Sequence, residues 1–163
     1  AAGRIADGAL VERAILARLR QMTEEEFAAY DGGGEGLYHR VYDAVRRCAT
    51  VEELLAAVKT KRYTAARLRR MVLSAWLGLP KAPETVPYAR VLAANETGRA
   101  LLRQMRKAGA PVLTKAADVA ALGSGAEALF RREAGYTDLY TLAYTDLAQA
   151  VPGSDWRLTP MMK

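Results

Sequence analysis

Three threonines, each at the head of an apolar-periodic run, dictate how the first half of this chain can fold. Thr23-Glu24-Glu25-Glu26 and Thr50-Val51-Glu52-Glu53 are capping-box patterns, and Thr64 stands before Leu68, Met71, Val72, Ala75, Trp76 and Leu79. A hydroxyl that accepts from first-turn N–H groups starts a helix where it stands, so these positions divide the chain into short helices. The spacing predicts helices over 6–22, 24–30, 35–48, 51–58 and 65–79. In the first, Leu10, Ala14, Ala17 and Gln21 form one row, with Val11, Ile15, Leu16 and Leu19 widening the apolar face. The third buries Leu37, Val41, Ala44, Val45 and Cys48; the fourth buries Val51, Leu54, Leu55 and Val58. Short connections between amphipathic helices make a bundle over about 5–79.

Pro80, Pro83 and Pro87 mark a stiff connector, after which the pattern changes. Residues 88–94 read as a strand, 95–108 as a helix with Leu101, Leu102 and Met105 buried, and 111–114 as a second short strand. Strand, helix, strand in the span 87–114 implies a βαβ-like part with two parallel strands. The closing part, 116–150, reads as a short helix over 116–122, a turn at Gly123-Ser124-Gly125, and helices over 126–134 and 137–150. From Val151 onward an irregular tail carries Trp156. The fold class is therefore mainly α: a helical bundle with a small embedded βαβ unit. With 163 residues, 51% of them hydrophobic, a single domain over 1–163 can bury its own core.

Charge is concentrated rather than spread. Between Lys59 and Arg70 the chain carries six basic residues and Tyr63, and no acid occurs between Glu53 and Glu84. A loop feeding a helix N-terminus offers free N–H groups and a favourable dipole to phosphate. Lys59, Lys61 and Arg62 in the loop, and Arg67 and Arg70 on the helix, are candidate phosphate contacts, with Tyr63 to stack on an unpaired base. Arg67, Arg70 and Ser74 share a separate face of that helix. Arg40 and Arg90 are secondary candidates. The competing reading is a solvated basic face whose arginines pair with distant carboxylates. The net charge of +6 favours an acidic partner without identifying it.

Other features carry less chemistry. Cys48 is the one cysteine, which excludes an intrachain disulfide and a cysteine-rich zinc site, and it falls on an apolar stripe. His39, the one histidine, has no partner in phase and reads as structural. The run Gly32-Gly33-Gly34-Glu35-Gly36 lacks a preceding strand and the phosphate-loop lysine, so it reads as an inter-helix turn. Tyr136, Tyr140 and Tyr144 recur every four residues and read as a core-edge stripe. Asp138 and Asp146 are available to pair with arginines. No apolar run is long enough to span a bilayer and no signal-peptide pattern opens the chain, which together suggest a cytoplasmic protein.

Four stretches in order resemble the C-terminal part of bacterial tRNA(Met) cytidine acetate ligases. They are Glu35-Gly36-Leu37 with Arg40; Lys59-Thr60-Lys61-Arg62-Tyr63-Thr64 with Arg67 and Arg70; Pro87-Tyr88-Ala89-Arg90-Val91-Leu92 with Asn95 and Gly98; and Thr137-Asp138-Leu139-Tyr140 with Leu142-Ala143. His39 and Ala93 depart from the pattern, where the family often has Asn and Gly. The resemblance implies an enzyme that activates acetate with ATP as acetyl-adenylate and acetylates the wobble cytidine of elongator tRNA(Met). It implies that ATP and its His-x-Gly-His-like motif belong to an N-terminal nucleotidyltransferase-type domain absent from this chain. This chain would then need no cofactor of its own, and its partners would be tRNA and that N-terminal domain. Two rivals stand beside this: a helical scaffold domain docking an acidic partner, and an autonomous nucleotide-binding enzyme.

Overall fold

The computed structural model describes residues 5–30, 36–79 and 85–163. Two compact units emerge, Ile5–Ala82 and one built from Pro83–Lys163, and each is described by itself. The architecture is mainly helical with two short parallel two-stranded sheets.

The first unit is a bundle of α1 (Gly8–Gln21), α2 (Glu24–Ala28), α3 (Leu37–Val45), α4 (Val51–Val58) and α5 (Ala65–Leu77). The threonines act as their positions imply. Thr23 Oγ1 accepts from Glu26 N–H, and Glu26 accepts from Thr23 N–H at 2.8 Å, a complete box. Thr50 caps Glu53 N–H at 3.1 Å, but the Glu53 carboxylate accepts from Ala49 N–H, one residue earlier than a closed box requires. Gly36 begins α3 with φ of 76°, a left-handed conformation natural to glycine. The rest of the glycine run, 32–35, and the connector prolines Pro80 and Pro83 lie outside the described residues.

α1 packs on α5 and α3, and α3 packs on α2 and α4. The buried row of α1 is Val11, Ile15, Leu16 and Leu19, continued by Met22. Leu10 is exposed, as are Ala14, Ala17 and Gln21, so the expected row is rotated. Partners on two sides, α3 and α5, draw in the bulky branched residues and leave the alanine row to water. Phe27 of α2 is fully buried and meets Tyr42 edge-on, with ring centroids 6.3 Å apart. Cys48 is half-buried at the end of its stripe.

In the second unit, the segment expected as one strand is two. β1 (Ala89–Arg90) pairs in parallel with β3 (Val112–Leu113), and β2 (Ala93–Ala94) pairs in parallel with β4 (Met161–Met162). The chain changes partner midway. Val91 N–H donates to Leu113 at 2.9 Å, whereas the next carbonyl, of Leu92, accepts from Met161 N–H at 3.1 Å. The tail is thus not irregular: it supplies β4 and a short helix, α8 (Ser154–Arg157). Between β2 and β3 runs α6 (Glu96–Lys107), capped by Asn95, whose side chain accepts from Gly98 N–H at 2.8 Å. The β1–α6–β3 unit is the expected βαβ. α6 itself has no fully buried residue, and Leu101 is 55% exposed rather than core.

A 3-10 helix over Ala116–Leu122 leads through Gly123 into α7 (Ser124–Thr141). Where the sequence predicts two closing helices, one continuous helix stands instead. Ala126, Phe130 and Ala134 bury along one row, and Gly135 sits on the exposed side, where it does not interrupt that row. Tyr144 follows the helix rather than continuing the tyrosine stripe, and meets the exposed Tyr140 edge-on at 5.9 Å. Asp138 and Asp146 do not pair with arginines among the described residues. Asp138 accepts from Gly153 N–H at 2.6 Å, and Asp146 caps Ala148 N–H at 3.0 Å. No helix among the described residues is long and apolar enough to cross a membrane.

Candidate nucleic-acid interface

The basic stretch becomes a turn with fixed geometry. α4 ends at Val58, and Lys59 N–H closes it onto Leu55. Thr60 N–H donates to the Tyr63 carbonyl at 3.2 Å, and Tyr63 N–H returns to Thr60 Oγ1 at 3.0 Å. The four residues 60–63 therefore close on themselves and push Lys61 and Arg62 outward; both are exposed, as is Lys59. Thr64 then caps α5, its Oγ1 accepting from Arg67 N–H at 3.3 Å. Thr64→Ala removes that cap while leaving every cation in place. It is expected to lower stability by about 1 kcal/mol, read by denaturant unfolding of the two proteins side by side.

Tyr63 departs from expectation. The residue is only 6% exposed, so its ring does not offer a face to an unpaired base. The ring serves instead as a plate around which cations gather. The guanidinium carbons of Arg67, Arg62 and Arg40 lie 5.4, 5.9 and 6.0 Å from its centroid. The negative face of an aromatic ring attracts such groups, which offsets part of their mutual repulsion. Arg40 belongs to α3 and is far in sequence, and this ring brings it to the junction. Among the described residues Lys59, Lys61, Arg40 and Arg70 make no ion pair.

On the adjoining face of α5, Arg67 and Arg70 line an open cleft of about 360 Å³ with Ser74 and Tyr30. Helical phase puts Arg67, Arg70 and Ser74 together; no signal in the sequence adds Tyr30, which reaches the cleft from the end of α2. The cleft is cationic and hydroxylated, suited to a backbone phosphate.

Arg90 already has a carboxylate partner. It lies in the second unit, where its guanidinium meets Asp155 Oδ1 at 3.0 Å and sits 5.0 Å from the Phe130 ring centroid. Asp155 also accepts from Thr137 Oγ1 at 2.6 Å. Arg90 is thus a rivet between β1, α7 and α8, with its charge already spent on Asp155 rather than held out for a phosphate. Nearby, the buried Tyr88 donates to Glu133 at 2.6 Å, and burial, followed by that carboxylate, raises its hydroxyl above the usual tyrosine range. His39 is exposed and pairs with Glu24.

A family model described as HIGH Nucleotidyl Transferase matches residues 3–153. The chain belongs to this family. Its relatives are those the sequence resemblance pointed to. The tRNA(Met) cytidine acetate ligase of Thermoanaerobacter sp. (strain X514) is 34% identical over 134 residues, which make up 79% of this chain and 32% of the relative. The chain spans about a third of the length of the curated relatives it matches. The crystal structure of Thermotoga maritima TmcAL in its apo form I shares the fold, with a TM-score of 0.83 at 22% identity over 94% of this chain and 40% of that one. The same protein bound with alpha-thio ATP gives 0.82, also at 22% identity.

Proposed function

We propose that this chain is the tRNA-holding part of an ATP-dependent acetate ligase that acetylates the wobble cytidine of elongator tRNA(Met). The observation that carries the reading is the junction itself. Lys59 and Lys61 stand exposed at the self-closed turn 60–63, and the Tyr63 ring gathers Arg40, Arg62 and Arg67 around it. The chain's kinship with tRNA(Met) cytidine acetate ligases supports tRNA(Met) as the substrate. Phosphate contacts from Lys59, Lys61, Arg62, Arg67, Arg70 and Arg40 would fix the register of the anticodon arm, leaving the chemistry to another part of the enzyme.

ATP binding and acetyl-adenylate formation are assigned to a nucleotidyltransferase-type domain in the portion of the relatives that this chain does not span. Two features of this chain support leaving that step to another domain. The cleft beside the junction is open, and the single histidine of the sequence is paired with Glu24. A tRNA-modifying role would place the protein in the cytoplasm.

The test uses the enzyme containing this chain. Lys59→Ala/Lys61→Ala/Arg62→Ala is expected to raise the KM for tRNA by about a hundredfold, as three lost phosphate contacts would. ATP–pyrophosphate exchange driven by acetate is expected to stay within about twofold of the parent. Equal loss of both activities, or an unchanged KM for tRNA, would refute the assignment.

A further inference from the structure

A second cationic groove lies in the 85–163 unit, on residues to which nothing above gives a role. Arg99, Arg103 and Arg106 of α6 are spaced i, i+4, i+7, which puts all three on one face of the helix. All three are exposed. Together with Lys115, Thr114 and Thr159 they line one open cleft of about 350 Å³. Arg106 donates to Thr114 Oγ1 at 2.5 Å, which holds its guanidinium at the cleft wall. None of Arg99, Arg103, Arg106 or Lys115 makes an ion pair among the described residues, and Glu96 is the only acid in the helix.

Like charges at i, i+4 on a helix repel and cost stability when nothing neutralises them. α6 packs the half-buried Leu102 and Met105 without fully burying either, and its arginines remain exposed. An external anion would relieve the repulsion. From Arg99 to Arg106 the helix rises about 10 Å, a run suited to an extended polyanion rather than a single ion. The groove is open along that run; Leu102, Pro160 and Met162 form its apolar floor, and guanidinium, ammonium and hydroxyl donors stand around it, the set that meets phosphodiesters.

We propose that α6 and Lys115 form a second phosphate-binding surface that grips the backbone of the same RNA, so that each of the two units holds it. This rests on the tRNA reading above. The two surfaces would then contribute separately to affinity and to its salt dependence.

The test is fluorescence anisotropy of a labelled elongator tRNA(Met) transcript, titrated between about 50 and 200 mM salt. Three proteins are compared: the parent, Arg99→Gln/Arg103→Gln/Arg106→Gln, and Lys61→Ala/Arg62→Ala. The α6 variant is expected to bind at least about tenfold more weakly, with a log–log salt slope shallower by about 2. Saturating tRNA is expected to protect Lys115 of the parent from an amine-reactive label. If the triple variant melts early, Arg103→Gln with the Lys115 footprint gives the answer. Parent-like affinity and slope in the α6 variant, with Lys115 still reactive, would overturn the inference; the tRNA reading stands if Lys61→Ala/Arg62→Ala alone weakens binding. No binding by the parent overturns both, and a parent that captures polyglutamate but not tRNA points to an acidic protein partner instead.

Discussion

Phe130→Ala is expected to destabilise the second unit by about 3–5 kcal/mol, more than any other single substitution in that unit's core. Phe130 is 1% exposed in a cluster with Tyr88, Leu113, Val119, Ala126 and Ala134. Truncation loses the transfer energy of the ring and opens a cavity between α7 and the β1–β3 pair, whose short strands contribute little rigidity of their own. Two neighbours also lose a partner. Trp156 packs its ring edge-on at 4.8 Å, and Arg90 rests over the face at 5.0 Å. Phe130→Leu keeps most of the volume and is expected to cost less than half as much. Denaturant unfolding of the three proteins in a Trp76→Phe background, monitored by Trp156 fluorescence together with circular dichroism, makes the comparison. A Phe130→Ala protein within about 1 kcal/mol of the parent would show that this cluster is not the core of the unit.

Asp155→Ala is expected to cost about 3 kcal/mol, and by a different route. The carboxylate is 7% exposed and satisfies both Arg90 at 3.0 Å and Thr137 at 2.6 Å. Removing it leaves the guanidinium, itself only partly exposed, with the Asp155 backbone carbonyl at 3.4 Å as its remaining acceptor, and the Thr137 hydroxyl with the Glu133 carbonyl at 3.3 Å. That desolvation, not the lost attraction alone, sets the size of the penalty. It also unpins α8 from α7 and so frees the tail that forms β4. Asp155→Asn retains shape and one acceptor and is expected to recover more than half of the loss. Hydrogen exchange at Met161 and Lys163, whose amides bond to Leu92 and Ala94, is expected to quicken in Asp155→Ala. Unchanged exchange there would show that the tail is held by other contacts.

The helical half is legible in the sequence because its signals are local. Thr23, Thr50 and Thr64 act within one turn of themselves, and each caps the helix it heads. The expected α1 row fails because which face of an amphipathic helix is buried depends on where α3 and α5 lie, and helix periodicity alone does not choose between Leu10 and Ile15. In the second unit the tail escapes for a related reason. Met161 and Met162 become a strand only through parallel pairing with Ala93 and Ala94, more than sixty residues away. At the junction, charge density locates the cations, while the role of Tyr63 does not follow from its type. A tyrosine beside arginines reads as a stacking platform until burial shows that its ring supports the arginines instead. The pairing of Arg90 with Asp155 likewise joins β1 to the tail, and no spacing rule connects them.

Whether Lys59, the turn at 60–63 and the first turns of α5 hold tRNA through its phosphates, as proposed, is read most directly from the salt dependence of binding. Elongator tRNA(Met) is titrated into the parent chain and into Lys59→Ala/Lys61→Ala/Arg62→Ala/Arg70→Ala between about 50 and 200 mM salt. Log affinity of the parent is expected to fall linearly with log salt, and removing four contacts is expected to make the slope shallower by about 3. A variant that binds tRNA as tightly as the parent, with the same slope, would contradict the proposal.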